Sequence, residues 1–246
     1  MSFQNTYQEA ARAQAYNELG FGGTYRLVAD SLPSLLSRYV SGTDSLDFGC
    51  GTGRSTRYLQ QLGFQTIGVD VSREMVERAR ENDPAGDYRV IRDGDFSSLE
   101  VGRFDLLLCA FPFDNIAGRQ KKVRLFSGLA NLLSTDGRIL NIVSTPEIYL
   151  NEWVTFTTRE FPENHEAGCG DVVRIITREY SDPRPVEDIM WPDEEYQKVY
   201  EESGLMELHS EAPLARGDEG IEWLSESVIP PWRIYVLQKA VSDGEI

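Results

Sequence analysis

Apolar residues along the chain recur in short runs that alternate with segments of helical periodicity. Runs typical of β-strands cover residues 45–49, 66–70, 88–93, 104–110 and 137–144. Helix-type segments lie between several of these runs, at residues 54–62, 72–81 and 119–133. An almost continuously apolar run such as Leu106-Leu107-Leu108 indicates a strand buried on both faces. The alternation therefore predicts an α/β fold built on a parallel sheet.

The flanks of this alternating core follow other patterns. Residues 24–40 predict a helix with an apolar inner side, in which Pro33 either introduces a kink or marks a restart. Residues 145–170 are aromatic and irregular, and residues 172–180 then alternate like a strand. Towards the end of the chain the pattern predicts a helix at 193–203, and strands at 205–212 and 233–239 that form an antiparallel pair at one sheet edge.

These patterns divide the chain into four expected parts. Residues 1–43 form an N-terminal helical lid, and residues 44–144 form the core. Residues 145–192 are an inserted cap over the carboxyl ends of the strands, where open α/β sheets bind ligands. Residues 193–246 supply a helix and edge strands that complete the core sheet.

Charge limits the expected partners. The chain has 246 residues and a formal net charge of −16, and residues 147–246 hold 23 of the 40 acidic residues but only 8 of the 24 Lys and Arg. An acidic surface repels phosphate backbones, so we expect no nucleic-acid partner. The acidic half either solubilises the protein or attracts a cationic substrate. No window approaches the roughly 20 apolar residues of a membrane span.

The N-terminus and the cysteines complete this picture of composition. The N-terminus lacks the layout of a signal peptide, so we expect a cytoplasmic protein with no membrane partner. Cys50, Cys109 and Cys169 lack CxxC spacing and predict neither a disulfide framework nor a structural zinc site. The oligomeric state is left open.

A glycine-rich turn, Gly49-Cys50-Gly51-Thr52-Gly53, follows the first predicted strand. Glycine adopts positive φ angles and lets a ligand approach the backbone. The NAD fingerprint G-x-G-x-x-G would place its third glycine where Arg54 stands, and Gly53 comes one residue early. A Walker loop would need a lysine that is missing here. The turn therefore favours a nucleoside ligand without phosphates.

Two acidic residues follow later strands at positions that suit such a ligand. Asp70 ends the second strand, 21 residues after Gly49, where a carboxylate accepts hydrogen bonds from ribose hydroxyls. Asp95 follows the third strand, where it would accept a hydrogen bond from an exocyclic adenine amine, with Phe96 against the ring.

The glycine-rich turn is followed, in register, by Asp70, by Gly94-Asp95-Phe96 and by the strand at 104–108. With this order of motifs, residues 44–144 resemble class I S-adenosylmethionine (SAM)-dependent methyltransferases of the small-molecule type. The resemblance implies a Rossmann-like, doubly wound, seven-stranded sheet whose last strand is antiparallel. It also implies SAM as cofactor and S-adenosylhomocysteine (SAH) as product. The residues that it assigns to SAM are Asp47, which orients the turn, and Gly49, Cys50, Gly51, Gly53, Asp70, Val71, Met75, Asp95, Phe96, Cys109, Ala110 and Phe111. Tyr25, in the lid, is expected to reach the cofactor as well.

The acceptor side is less clearly marked. Methyl transfer from a sulfonium is an in-line displacement in which positioning supplies much of the rate, and a base is needed only for an acceptor that holds its proton tightly. His165 is a candidate base and Asp114 a candidate hydrogen-bond acceptor, although a surface position and a helix cap are their alternatives. The candidate substrate contacts are Tyr16, Phe113, Tyr149 and Trp153, the last two also suiting core packing on one helix face.

The segment Ala110-Phe111-Pro112-Phe113 lacks the [D/N/S]-P-P-[F/Y/W] motif of enzymes that methylate amino groups of DNA and of protein glutamine. We therefore expect a methyltransferase that acts on a nitrogen or oxygen atom of a small molecule. No cluster of acids follows the fourth predicted strand beyond Asp114, so we expect no metal. The alternative is a SAM-binding protein that transfers no methyl group, either an aminopropyl-type transferase or a regulatory nucleoside binder. An NAD oxidoreductase is disfavoured by Arg54.

Overall fold

The structure is a computed structural model and describes residues 22–178 and 184–240. The predicted substrate contact Tyr16 lies outside the described residues, as does the part of the expected lid at residues 1–21. The helices are α1 (Arg26–Tyr39), α2 (Arg54–Gln61), α3 (Arg73–Asn82), α4 (Arg119–Leu132) and α5 (Asp193–Glu202). The strands are β1 (Asp44–Phe48), β2 (Gln65–Asp70), β3 (Asp87–Val90), β4 (Phe104–Ala110), β5 (Leu133–Ser144), β6 (Phe156–Thr157), β7 (Val172–Thr177), β8 (Val186–Ile189), β9 (Leu205–Glu211) and β10 (Trp232–Lys239). Short 3-10 helices occur at Gly23–Tyr25, Pro112–Asn115, Pro146–Tyr149 and Pro162–Glu166.

Seven strands form one sheet in the order β3-β2-β1-β4-β5-β10-β9. The first five strands in this order are parallel to their neighbours, while β10 is antiparallel to both β5 and β9. This confirms the predicted doubly wound sheet with an antiparallel last strand. A second, three-stranded antiparallel sheet holds β6, β7 and β8, within the residues expected to form an insertion.

Both faces of the large sheet are buried, as the apolar strands predicted. On β4, Leu106 and Leu108 face a core that includes α1, whereas Leu107 and Cys109 face the core under α4 and α5. Successive side chains of a strand point to opposite faces, so the leucines of this run pack into both cores. No helix in the described part of the chain has the length and apolarity to cross a membrane.

Helix α1 runs through Pro33 without interruption. A proline lacks the N–H that would donate to the carbonyl four residues earlier, which here belongs to Ala29. The Tyr58 hydroxyl donates to that carbonyl oxygen at 2.8 Å. A side chain from α2 thus supplies the hydrogen bond that the proline removes.

The aromatic spacing in residues 145–156 does not form the helix face that the pattern suggested. Tyr149 ends a 3-10 helix and Phe156 begins β6, with Trp153 in irregular chain between them. Tyr149 and Trp153 belong to the core that also holds Leu27 of α1 and Trp232 of β10. This segment therefore packs against the α1 side of the large sheet.

Candidate functional site

A cavity of about 570 Å³ opens at the carboxyl ends of β1, β2 and β4. Its volume lies within the range of small-molecule sites. One side consists of Gly49 and Gly51 from the glycine turn with Asp70, Val71, Ser72 and Met75 from the end of β2 and the start of α3. The opposite side consists of Ala110, Phe111, Pro112, Asn115, Ile116 and Ala117 from the segment after β4. Tyr25, Phe48, Ile91, Asp93 and Lys121 complete the lining.

The glycine turn depends on its glycines for conformation and for space. Gly49, Gly51 and Gly53 all have positive φ angles, of 75°, 53° and 82°. A Cβ atom on Gly49 would lie 2.6 Å from the Cβ of Pro112, and one on Gly53 would lie 2.8 Å from the Tyr88 ring. Gly49 thus lets the segment after β4 approach the turn, whereas Gly53 lets α2 begin against Tyr88 and does not line the cavity.

Asp70 is fixed between the glycine turn and the start of α3. Its Oδ2 accepts a hydrogen bond from the Gly51 N–H at 2.9 Å, and its Oδ1 accepts one from the Ser72 N–H at 2.8 Å. Burial raises the pKa of this carboxyl, and the N–H donors of Ser72 and Gly51 act in the opposite direction. Ser72 caps α3 by accepting from the Met75 N–H.

Asp47 lies beneath the turn rather than on the cavity wall. Its Oδ2 accepts hydrogen bonds from the Ser55 and Thr56 hydroxyls, each at 2.6 Å. Its Oδ1 is buried without a hydrogen-bond partner among the described residues. Burial raises the pKa of Asp47 to about 6, against the effect of the two hydroxyls. Asp47 thereby ties β1 to α2 on either side of the turn.

The wall after β4 is strained at Phe111. Among the described residues, Phe111 is the non-glycine residue with a positive φ, at 70°. Its ring packs 4.7 Å from the Trp232 ring and 5.7 Å from the Tyr25 ring, measured between centroids. Left-handed backbone at a bulky residue costs about 1 to 3 kcal/mol and occurs most often at ligand sites. The aromatic contacts hold Phe111 in that conformation at the cavity.

Comparison with known proteins agrees with this geometry. Residues 46–141 match the model of a methyltransferase domain. The chain is 32% identical over 97 residues to an uncharacterized methyltransferase of Alkaliphilus oremlandii, an alignment that covers 39% of this chain and 43% of that protein. It is also 32% identical over 116 residues to the malonyl-[acyl-carrier protein] O-methyltransferase of Pectobacterium atrosepticum, covering 45% of this chain and 43% of that protein. The alignments thus span less than half the length of either relative.

A solved SAM-dependent methyltransferase from Clostridium acetobutylicum has the same fold. It superposes with a TM-score of 0.61 at 16% identity, over 88% of this chain and 92% of its own. Residues 46–141 are thus a methyltransferase domain, in a chain that has the fold of the class I SAM-dependent methyltransferases. Methyltransferases with this fold use SAM as cofactor, which gives the cavity a ligand against which its donors and acceptors can be tested.

The residues that line the cavity fit SAM. Asp70 is on the cavity wall, and its two oxygens, which accept from Gly51 and Ser72, have further lone pairs that ribose hydroxyls can use. Gly49 and Gly51 present backbone without side chains to the same cavity. Val71 and Met75 line it beside Asp70, with Ile91 from the end of β3. These residues form an apolar slot next to the acid, which suits a nucleoside.

Some residues that the sequence assigned to SAM do not line this cavity, among them Cys109 at the end of β4 and Cys50 in the glycine turn. Cys109 is buried in the core under α4, because Ala110 faces the cavity and adjacent strand residues point to opposite faces. Cys50 faces the core cluster of Val76, Ala79 and Tyr88 and a small neighbouring cavity of about 20 Å³. Neither the Cys50 nor the Cys109 side chain therefore lines the main cavity.

The segment after β3 is also placed differently from expectation. Asp95 is exposed and accepts a hydrogen bond from the Ser97 N–H, and Phe96 packs 5.9 Å from the Phe48 ring and against Gly128 of α4. Asp93 lines the cavity instead, because the chain turns away at Gly94, which has a φ of 75°. Of the two acids in this loop, Asp93 and not Asp95 lines the cavity.

The candidate catalytic and substrate residues also lie away from the cavity lining. His165 is exposed on the 3-10 helix Pro162–Glu166. Phe113 is fully buried and stacks on Phe126 at 3.9 Å between ring centroids. The Tyr149 hydroxyl donates to Asp188, and the Trp153 indole N–H donates to the Ile148 carbonyl, both in the core. Asp114 is buried behind the wall, where it accepts hydrogen bonds from Ser144.

Lys121 and Asp93 are the charged lining residues that sequence reasoning missed. Lys121 Nζ lies 2.5 Å from Asp93 Oδ2, so the pair joins the loop after β3 to the first turn of α4 at the edge of the cavity. The two residues are far apart in the sequence, and neither belongs to the motif that carried the resemblance. Only the pairing of the two elements in space reveals them.

Proposed function

We propose that this protein is an enzyme that transfers a methyl group from SAM to a nitrogen or oxygen atom of a small molecule. The observation that carries the proposal is a single cavity that combines bare backbone from Gly49 and Gly51 with a fixed carboxylate at Asp70. Bound SAM supplies a methyl group on a positively charged sulfur.

The residues on the glycine side have distinct tasks in this proposal. Asp70 accepts hydrogen bonds from the two ribose hydroxyls, and its bonds from Gly51 and Ser72 keep the carboxylate oriented before ligand arrives. Val71 and Met75 pack beside the base. Gly49 and Gly51 allow the methionine part to lie against the backbone.

The residues after β4 form the acceptor side. Phe111 and Tyr25 cover the cavity with aromatic surface, which excludes water from the reacting atoms. Pro112, Ile116 and Ala117 add apolar surface, and the Asn115 amide adds a polar group. This wall suits a small organic molecule, and the net charge of −16 argues against a nucleic acid. The printed name of the Pectobacterium relative, an O-methyltransferase, supports oxygen as one possible acceptor atom.

Calorimetric titration with SAM and with SAH tests the binding part of the proposal. We expect both ligands to bind the wild type and Asp70→Ala to weaken binding roughly tenfold, the size expected for lost hydrogen bonds to a charged group. Asp87→Asn is the matched control, because Asp87 lies at the far end of β3 and pairs with Arg89 outside the cavity. Failure of the wild type to bind either ligand would refute the proposal, and unchanged binding by Asp70→Ala would remove Asp70 from the ribose site.

Transfer is tested separately with methyl-labelled SAM. The enzyme is incubated with small-molecule and macromolecular fractions of an extract from its source, and the label is followed by mass spectrometry. We expect a labelled product in the small-molecule fraction that Asp70→Ala forms more slowly. Label in macromolecules alone would contradict the small-molecule acceptor. Tight binding without transfer to any fraction would instead favour a SAM-binding protein that does not methylate.

A further inference from the structure

A cluster of charged side chains lies buried behind the cavity wall formed by the 3-10 helix Pro112–Asn115. Its members are Lys122 of α4, Asp114 of the 3-10 helix and Asp188 of β8, with relative exposures of 0%, 5% and 7%. Charged groups are rarely buried this deeply unless they are paired. The three residues, called the buried charge cluster below, come from three separate elements that meet at this wall.

The buried charge cluster fixes the 3-10 helix of the wall through a contact to its backbone and through contacts of the Asp114 side chain. Lys122 Nζ donates to the carbonyl oxygen of Phe113, in the middle of the 3-10 helix. The Asp114 carboxylate accepts hydrogen bonds from the Ser144 N–H, at 3.1 and 3.2 Å to its two oxygens, and from the Ser144 hydroxyl at 2.7 Å. The 3-10 helix is thereby bonded to α4 on one side and to the end of β5 on the other.

The residues that this hold fixes are those that face the ligand. Pro112 and Asn115, the two ends of the 3-10 helix, both line the cavity. Phe111 immediately precedes them in a left-handed conformation that a phenylalanine does not adopt without support. The position of this wall therefore depends on the contacts that the 3-10 helix makes on its side away from the cavity.

We propose that Lys122 and Asp114 are positioning residues that hold the wall after β4 in its ligand-binding position, and that Asp188 tunes this hold through its charge. The inference rests on the proposed function, because SAH is the ligand whose binding reports on the wall. None of the three residues lines the cavity, so their effect on the ligand passes through Pro112 and Asn115.

The charges of the cluster do not balance when all three residues are ionised, because two carboxylates then face one ammonium. Burial, with the negative charge of Asp188, raises the pKa of Asp114 to about 7, while Ser144 and Lys122 act in the opposite direction. Burial lowers the pKa of Lys122, and Asp114 acts against that shift. Asp114 therefore changes its protonation near neutral pH.

Other titratable groups face the cluster from the elements packed around it. Tyr149, whose hydroxyl donates to Asp188, and Tyr196 of α5 both interact with Asp114 and Asp188, and burial raises the pKa of each well above its usual value. Cys169 interacts with Lys122, and burial also raises the pKa of its thiol. All three stay protonated near neutral pH. Within the cluster, Asp114 changes its charge near pH 7, and Lys122, whose pKa burial lowers to about 8, changes its charge at a higher pH.

The charge of Asp114 decides how well the wall is held. The ionised carboxylate accepts from both donors of Ser144, whereas the protonated form turns one oxygen into a donor and loses acceptor capacity. The wall is thus held more tightly above the Asp114 pKa than below it. We expect SAH affinity to fall as the pH is lowered through this range.

Calorimetric titration of SAH from about pH 5.5 to about 8.5 tests the inference. In the wild type, affinity should fall several-fold with a midpoint near the Asp114 pKa. Asp114→Asn should bind roughly tenfold more weakly at the alkaline end and lose this pH step, because the amide is never a carboxylate. Asp188→Asn removes the repelling charge, so its midpoint should move down by about one pH unit.

Glu187→Gln is the matched control. Glu187 is the neighbour of Asp188 on β8 and pairs with Arg174 outside the cluster, so the midpoint should stay at the wild-type pH. A midpoint that moves in Asp188→Asn but not in Glu187→Gln separates the cluster from other titrating groups such as Asp47. An Asp188→Asn midpoint equal to that of the wild type, in protein that unfolds at a normal temperature, would overturn the inference.

The wild type provides a second measurement that needs no variant. The side-chain carboxyl carbon of Asp114 can be titrated by NMR, and its midpoint should coincide with the midpoint of SAH affinity. Different midpoints would overturn the inference even if Asp188→Asn failed to fold. An absence of SAH binding at every pH would refute the proposed function and this inference together, whereas binding without a pH step at the Asp114 midpoint would refute the inference alone.

Discussion

Asp47 is a carboxylate that the fold removes almost completely from water. Its side chain is 0% exposed, and burial raises its pKa to about 6 from an ordinary value of 3.8. Between these two values the folded state binds more protons than the unfolded state, so stability falls as the pH rises towards 6. Above that pH the penalty is complete. Asp47 therefore destabilises the ligand-free protein at neutral pH, in a position beneath the glycine turn.

Replacement of this carboxylate should stabilise the ligand-free protein. Asp47→Asn keeps an oxygen for the Ser55 and Thr56 hydroxyls and removes the buried charge. We expect the free energy of unfolding to rise by about 2 kcal/mol near pH 8 and to change little near pH 4. Urea unfolding at both pH values measures the difference. The control is Asp44→Asn, an exposed carboxylate on the same strand, and an equal effect of Asp47→Asn at both pH values would contradict the prediction.

At the scale of elements, α1 and α2 are joined by the hydrogen bond from Tyr58 to the Ala29 carbonyl. The bond matters because Pro33 leaves that carbonyl without its helical partner. Tyr58→Phe should therefore lower the free energy of unfolding by about 1 kcal/mol, the usual effect of an unpaired carbonyl. In a Pro33→Ala background the helix supplies its own N–H, and the same substitution should have a smaller effect. A double-mutant cycle on thermal unfolding measures the coupling, and additive effects would contradict it.

Trp153, in the aromatic part of the segment 145–192, packs in the core of the protein. Trp153 is 0% exposed, and its indole N–H donates to the Ile148 carbonyl at 2.7 Å. Trp153→Ala should lower the free energy of unfolding by about 3 to 5 kcal/mol. Trp153→Phe keeps most of the apolar volume and should lower it less, with SAH affinity close to that of the wild type. Weakened SAH binding by a stably folded Trp153→Phe would instead show that Trp153 contributes to the ligand site.

The sequence predicted elements well where the pattern is local. The apolar runs predict the parallel strands, and the end of one such run predicts the position of Asp70. Both predictions depend only on residues that are neighbours in the chain. The Asp93–Lys121 pair and the buried charge cluster depend on elements that meet only after folding, so no local pattern marks them. The spacing of Tyr149, Trp153 and Phe156 fits a helix face as well as an irregular core segment, and periodicity cannot separate these two.

At the scale of the whole molecule, Glu226 joins three distant parts of the chain. Its side chain is 0% exposed. One oxygen accepts hydrogen bonds from the Thr24 hydroxyl at 2.7 Å and the Val154 N–H at 2.8 Å, and the other accepts from the Leu224 N–H at 3.0 Å. The start of the described chain, the segment after β5 and the loop before β10 therefore meet at one carboxylate. Tyr25, next to Thr24, lines the cavity, so this junction also supports the site.

Glu226→Gln should disturb the whole junction although it changes a single atom. Three donors face the carboxylate, and an amide replaces one acceptor oxygen with an NH₂ group that faces donors instead. We expect the free energy of unfolding to fall by about 2 kcal/mol. Amide exchange at Val154 should become faster, and SAH affinity should fall several-fold because Tyr25 loses its support. Glu222→Gln, an exposed glutamate of the same loop, is the control. If both variants were equally stable and bound SAH alike, Glu226 would not stabilise this junction, and the aromatic contacts of Tyr25 with Trp232, Phe111 and Phe156 would be enough to hold it in place.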